Sequence, residues 1–373
     1  MGVGGDGLSL RSVRVRSVLV PLDPPIQTSS AEVPEAPLVL LDLETEEGVV
    51  GRSSVFCYTP LVLAPLGRLL RDLCAALADT PLTPAAVRAA VEARFRLLRP
   101  QGLVTMAASA LDIAVWDAVA RAADRPLVTL LGGRPEPVAV YASLRTMRPA
   151  GAAAEAEGLA ALGFTRFKVK VGLGDVNTDR EVVRAIRAAV GAQAQVAIDY
   201  NQSLDVPEAV HRVRALADER LMWVEEPTAA DDYVGHARIR AASEAPIQLG
   251  ESWWGVPAMT AAIAAGASDL AMVDIFRIGG VSGWTAAAAL AHAHGLPLST
   301  HLAPEVSAHV MPVSPSAHLL EYLDVTGPLL AEPACVRDGA VTAAQRPGAG
   351  VEWDEEAVAR ATGDTLTWSR AQT

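Results

Sequence analysis

From residue 137 onward the chain repeats one hydropathy pattern. A short apolar run closes on a polar or charged residue, and an Ala-rich stretch of helical spacing follows. The runs are Phe167-Lys168-Val169-Lys170, Val196-Ala197-Ile198-Asp199, Met222-Trp223-Val224-Glu225, Gln248-Leu249-Gly250-Glu251, Met272-Val273-Asp274, Leu298-Ser299-Thr300-His301 and His318-Leu319-Leu320-Glu321. From Lys170 on, their last residues are 29, 26, 26, 23, 27 and 20 positions apart. Short buried strands alternating with helices at this period predict βα units of a parallel barrel. Val138-Ala139-Val140-Tyr141, ending near Ser143, extends the period backwards by 27 residues, so eight strands fit between 137 and 323.

Upstream the pattern changes. Residues 9–20 alternate Arg14 and Arg16 with Val13 and Val15, which predicts a strand, stopped by Asp23-Pro24-Pro25. Ile26 to Pro34 reads as a small, polar loop, and residues 37–43 with the Gly48-Val49-Val50-Gly51 turn predict an antiparallel meander. Helical spacing follows over 61–78, 84–98 and 106–123. Gly132-Gly133-Arg134-Pro135 marks a boundary. The expected organisation is a disordered leader over 1–8, an α+β domain over 9–131, the barrel over 132–327, and a Gly- and Pro-rich segment, 328–373, that returns to the first domain.

Composition narrows the partners. A net charge of −12 argues against nucleic acid and anionic membrane surfaces. It does not argue against an anionic substrate, because a bound cation reverses the local sign. Aromatic residues are only 5% of the chain, so Ala, Val and Leu must build the core, as suits helices on a parallel sheet. The three cysteines, Cys57, Cys74 and Cys335, lack metal-ligand spacing and read as reduced thiols of a cytoplasmic protein. No apolar run is long enough for a membrane helix, and the first residues hold no signal core.

The strand ends carry the chemistry. Asp199, Glu225 and Glu251 end three successive strands, and adjacent strands lie about 4.8 Å apart. A lone acid in such a place commonly caps a helix. Three converging acids repel one another and raise one another's pKa unless a divalent cation joins them. Oxygen ligands favour Mg²⁺, with Mn²⁺ possible. Lys168 and Lys170, two apart on a strand, leave the same face and point into the barrel mouth. Two clustered ammonium groups depress each other's pKa, which suits one of them as a base. His301 and Asp274 end neighbouring strands, and such a carboxylate orients an imidazole.

With these residues in place the chain resembles the enolase superfamily, in its mandelate racemase subgroup. The resemblance rests on Lys168-x-Lys170, Asp199-Tyr200-Asn201-Gln202-Ser203-Leu204, Glu225-Glu226-Pro227-Thr228, Gly250-Glu251, Asp274, Ile278-Gly279-Gly280-Val281, Ser299-Thr300-His301-Leu302 and Glu321. Phe56-Cys57-Tyr58-Thr59-Pro60 and Ala114-Val115-Trp116-Asp117 resemble its capping domain. It implies a modified TIM barrel, (β/α)7β, with an α+β N-terminal capping domain, and a homo-oligomer, in that subgroup an octamer. It also implies Mg²⁺ on Asp199, Glu225 and Glu251, and proton transfer by Lys170 on one face of a small carboxylate substrate and by His301, oriented by Asp274, on the other. Lys168 would touch the substrate carboxylate, and Glu321, protonated, would donate to the enediolate oxygen. Asn201, Ser143, Ile26, Tyr58 and Val33 would line the substrate pocket.

The resemblance is looser in the lid, residues 24–33. Ser30 stands where it implies a valine, and Arg145 where it implies a histidine. Both suggest a more polar pocket, although Arg145 could equally be a solvated surface charge. The expected activity is Mg²⁺-dependent abstraction of an α-proton, as a racemase or epimerase of a mandelate-like 2-hydroxy acid. The alternatives are an acid-sugar dehydratase giving a 2-keto-3-deoxy acid, and a non-catalytic binding protein on the same fold.

Overall fold

The computed structural model describes residues 7–28 and 31–371. Three strands open the chain: β1 (Leu10–Gln27), β2 (Glu32–Thr45) and β3 (Val50–Phe56). They form an antiparallel meander, and the last strand of the chain, β14 (Thr362–Ser369), pairs with the outer edge of β1. The core face of this sheet rests on the helix Leu103–Ala122, and the contact is close. A Cβ at Gly51 of β3 would stand 2.1 Å from the Ala114 carbonyl oxygen, so glycine is what lets strand and helix meet. By length and composition that helix could cross a membrane, contrary to the sequence reading, but most of it is buried between β3 and neighbouring helices.

Two expectations for this region change. The leader was placed over 1–8; residues 1–6 lie outside the described residues, and Leu8 is buried and bridges to Leu82. The segment read as a polar loop is an extension of the hairpin. After a register shift between Pro21 and Ile26, β1 and β2 pair again at Ile26↔Val33 and Gln27↔Glu32. Proline removes a ladder donor, and an irregular stretch absorbs Pro24 and Pro25 without ending the strand pair. Ser30 lies outside the described residues.

The second half is the expected ring. Its strands are β4 (Pro137–Ser143), β5 (Arg166–Lys170), β6 (Gln195–Asp199), β7 (Val224–Glu225), β8 (Ile247–Leu249), β9 (Leu270–Asp274), β10 (Leu298–His301) and β11 (Leu320–Tyr322). β4 to β10 pair in parallel in chain order, β11 pairs with β4, and Leu298 of β10 bridges to Ala317 just before β11. A helix follows each strand except the last, which gives (β/α)7β. Tyr141, Ala197, Trp223, Met272 and Leu319 fill the barrel interior as a separate apolar cluster, a packed floor beneath the strand ends.

After β11 the chain returns through a hairpin, β12 (Val336–Arg337) and β13 (Ala340–Thr342), which pairs with β4 at Ala139 and Val138. It then reaches the first domain, where Trp353 Nε1 donates to Asp42 and Glu355 pairs with Arg14 and Arg16. Arg16 is buried, and its guanidinium pairs with Asp42 of β2 as well as with Glu355 of this returning segment. Opposite, Asp112 of the helix Leu103–Ala122 accepts from the Ser282 backbone N–H at 2.9 Å and its hydroxyl at 2.6 Å, tying the first domain to the barrel.

Candidate active site

The register of the parallel strands lines up the polar ends. Lys170 pairs with Asp199, Asp199 with Glu225, and Asp274 with His301. Glu251 lies two residues past β8, on a turn. There Gly250 adopts φ +137°, and a Cβ would meet the Met272 carbonyl oxygen at 2.4 Å. Glycine thus lets the chain turn tightly enough to bring Glu251 to the other two acids. One carboxylate oxygen from each of Asp199, Glu225 and Glu251 lies within 4.8 Å of the others, and all three residues are buried.

Each acid is held in place. Asp199 accepts from the Asn201 backbone N–H at 2.7 Å and its side-chain amide at 2.9 Å. Glu225 Oε2 accepts from Trp223 Nε1 at 2.9 Å and Gln248 Nε2 at 3.1 Å. Burial, opposed by Lys168 but reinforced by the neighbouring acids, raises the Glu225 carboxyl to about 8 and pushes Asp199 above its ordinary value. Desolvated acids this close are stable as anions only with concentrated positive charge between them, and an all-oxygen donor set fits a hard divalent cation such as Mg²⁺.

Lys168 is fully enclosed. Its Nζ lies 2.5 Å from Glu225 Oε1, 2.8 Å from Glu321 Oε1 and 3.8 Å from Asp199 Oδ2. Burial disfavours its charge, but Glu225 and Glu321 outweigh that and hold its pKa well above the ordinary value. The expectation that paired ammonium groups lower each other's pKa therefore does not describe Lys168, whose near neighbours are acids. Glu321 faces the same cation. Burial would raise its pKa, but Lys168 and His301 bring it down to about 2.

His301 has a partner on each ring nitrogen. Its Nδ1 lies 2.7 Å from Asp274 Oδ2, while Nε2 faces Glu251 at 3.4 Å and Glu321 at 3.9 Å. Asp274 Oδ1 accepts from the backbone N–H groups of Phe276 at 2.6 Å and Arg277 at 3.1 Å, so the carboxylate caps the short helix Ile275–Ile278 while its other oxygen serves the imidazole. Burial works against a charged imidazole, yet Glu251, Glu321 and Asp274 together raise His301 to about 9.

A cavity of about 190 Å³ joins these groups. Its polar wall is Lys168, Lys170, Asp199, Asn201, Glu251, His301 and Glu321. Its opposite wall is supplied largely by the first domain, through Ile26, Thr28, Val33, Phe56 and Tyr58, together with Leu302 and Leu323. Ser143 is not on the wall: it sits at the end of β4 beside Lys168, buried, with a hydroxyl that has no hydrogen-bond partner among the described residues. Arg145 is not on the wall either. Its guanidinium donates to the backbone carbonyls of Asp23 and Asp324, so it staples the β1–β2 hairpin to the loop after β11. Arg145 therefore puts no charge on the cavity wall.

Arg277 escaped the sequence reading. It is the lone cation in the apolar stretch Met272–Ile278, and that isolation was the available signal. Its guanidinium lies 4.2 Å from the centre of the Tyr58 ring and donates to the Glu251 carbonyl at 3.0 Å.

An α+β domain closing the mouth of a (β/α)7β barrel over three buried acids defines the enolase superfamily architecture. The description "Mandelate racemase / muconate lactonizing enzyme, N-terminal domain" matches residues 10–132, and "Enolase C-terminal domain-like" matches residues 151–357. The chain belongs to this family, the mandelate racemase subgroup of the enolase superfamily. Among solved structures it is similar to an enolase from Bradyrhizobium complexed with magnesium and mandelic acid, at 42% identity and a TM-score of 0.92 over 96% of this chain and 99% of that one. It is 36% identical over 265 residues to a 3,6-anhydro-alpha-L-galactonate cycloisomerase from Streptomyces coelicolor, covering 69% of this chain and 73% of the relative. It is 32% identical to an L-talarate/galactarate dehydratase from Salmonella typhimurium, over 69% of this chain and 65% of that protein.

Proposed function

We propose that this protein is a Mg²⁺-dependent racemase or epimerase of a small 2-hydroxy acid with an apolar substituent on the α-carbon. The observation that carries this reading is the placement of Lys170 and His301 on β5 and β10, three strand positions apart by the shorter way round, lining one cavity beside three converging acids. Asp199, Glu225 and Glu251 would hold the cation, which when bound supplies positive charge to the substrate's carboxylate oxygens. The chain's own groups do the rest. Lys170 and His301 each move a proton at carbon 2, from opposite faces. Asp274 fixes the His301 tautomer, leaving Nε2 toward the substrate. Lys168 places an ammonium group against the substrate carboxylate as charge builds on it. An anionic substrate arriving beside Glu321 favours its protonation, which turns it from an acceptor into a donor.

The apolar wall of Ile26, Val33, Phe56, Leu302 and Leu323 supports the substrate class. A polyhydroxylated chain against it would leave hydroxyls without partners, at a cost of order 1–3 kcal/mol each. The Bradyrhizobium protein solved with mandelic acid supports the same choice. The cycloisomerase and dehydratase relatives keep acid-sugar dehydration as a second reading, in which one base removes the α-proton and an acid expels a β-hydroxyl. A binding protein would have no use for two opposed bases.

The test is a panel of enantiopure aryl and alkyl 2-hydroxy acids and aldonic or aldaric acids, assayed with Mg²⁺ for loss of optical rotation and for 2-keto product. Racemisation of mandelate or a close analogue is the expected outcome. A 2-keto product from an acid sugar, with no racemisation of any 2-hydroxy acid, would overturn the assignment in favour of the second reading.

A further inference from the structure

Asp274 Oδ2 accepts two hydrogen bonds, and only one comes from the barrel. His301 Nδ1 lies 2.7 Å from it, and the Tyr58 hydroxyl, from the first domain, donates to the same oxygen at 3.0 Å. Tyr58 is held in an unusual way. Its backbone has φ +60°, a region costly to a residue with a Cβ and found most often where function requires it. Its ring packs edge-on to Phe56 at 4.7 Å and lies over the Arg277 guanidinium at 4.2 Å. Arg277 in turn is bonded to the Glu251 carbonyl and the Ser252 hydroxyl, at 3.0 and 3.1 Å. The hydroxyl is thereby aimed from a fixed ring at a carboxylate whose other oxygen the backbone of Phe276 and Arg277 already holds.

We infer that Tyr58 is a positioning residue for the His301 half of the reaction: its hydrogen bond to Asp274 Oδ2 fixes the carboxylate that orients the imidazole, so this base is complete only when the first domain is seated on the barrel. Lys170 sits on β5, away from Asp274, and does not share in this arrangement. The inference rests on the two-base reading above, and it predicts an asymmetry. Loss of the hydroxyl should impair proton transfer at one face and spare the other.

The test is Tyr58→Phe, which keeps the ring and its packing. With (R)- and (S)-mandelate as probes in deuterium oxide, α-proton exchange should fall roughly tenfold to a hundredfold for the enantiomer served by His301, the effect of losing a hydrogen bond to a charged group. Exchange of the other enantiomer should stay within about twofold, and KM should barely move. In an Asp274→Asn background the same change should cost nothing further, because the two residues act as one unit. Equal losses for both enantiomers, full additivity with Asp274→Asn, or no loss at all would overturn the inference. A readout independent of any substrate separates this failure from a wrong functional reading. The low-field proton resonance of His301 Nδ1–H, assigned by its disappearance in His301→Asn, should shift in Tyr58→Phe as Asp274 gives up its second donor. An unmoved resonance would overturn the positioning role even if mandelate proved not to be a substrate.

Discussion

Lys168 and Glu321 form a buried ion pair across β4, with Nζ 2.8 Å from Oε1 and both side chains at most 2% exposed. The same ammonium group lies 2.5 Å from Glu225, so one cation joins the second, fourth and eighth strands of the ring. Removing one partner of such a group leaves a desolvated charge, at a cost of about 3–5 kcal/mol. Lys168→Met should therefore lower unfolding free energy by that order in urea titrations without Mg²⁺. Adding Glu321→Gln should recover part of the loss. A double variant no more stable than Lys168→Met would show that the ion pair is not the cause.

The acid triad predicts a metal-linked stability. A ligand that binds only the folded state stabilises it by about 2.7 kcal/mol at a hundred times its dissociation constant. Mg²⁺ should raise the thermal midpoint, and chelator should reverse the rise and abolish turnover. Glu225→Gln, which keeps shape and removes charge, should weaken Mg²⁺ binding in calorimetry and leave the midpoint insensitive to the ion. Full activity in excess chelator would remove the metal from the reading.

The two bases predict complementary losses. His301→Asn should stop racemisation while one enantiomer still exchanges its α-proton in deuterium oxide through Lys170. Lys170→Met should leave exchange of the opposite enantiomer alone. Each variant should lower racemisation by about a hundredfold or more, since a positioned acid–base group contributes 10²–10⁴-fold at each transfer. Unchanged racemisation in His301→Asn would return that histidine to a structural role.

The helix Pro304–Val310 predicts two opposed pH effects. Burial, aided by Arg346, lowers His309 from 6.5 to about 4, and its Nδ1 accepts the Val128 N–H at 3.1 Å. The unfolded chain takes up that proton first, so this contribution is present above about 6.5 and lost as pH falls through 4. Burial, aided by Asp324, raises Glu305 from 4.5 to about 7. Here the folded state holds the proton, so its contribution is present below 4.5 and lost as pH rises through 7. Each shift corresponds to a contribution of order 3 kcal/mol. Between pH 4.5 and 6.5 they oppose. Denaturation of Glu305→Gln should show stability rising with pH in that window, and His309→Asn should show it falling. Parallel profiles for the two variants would contradict the assignment.

The eight strand ends were legible in the sequence because a buried parallel strand is a short apolar run, and its last residue is marked by the change to polar chemistry. That local pattern placed Asp199, Glu225, Glu251, Asp274, His301, Lys170 and Glu321 at one end of one barrel. It did not reveal that Ile26 pairs with Val33 and Gln27 with Glu32, because pairing across an irregular stretch depends on β2 rather than on local composition. Nor did it place Arg145, whose partners are two backbone carbonyls at positions 23 and 324.

What the sequence by itself determined is which side chains face the barrel mouth, since strand periodicity and the order of βα units are local properties. Only the tertiary structure decided their charge states and their company. Burial works against the Lys168 ammonium, and Glu225 first and Glu321 second hold its pKa up once the ring brings them together, while Lys168 and His301 hold the Glu321 carboxyl down. Tyr58 meets Asp274 across 216 positions of chain because a separate domain seats on the barrel. Electrostatic energies depend on distance and desolvation, and neither exists until the chain has closed on itself.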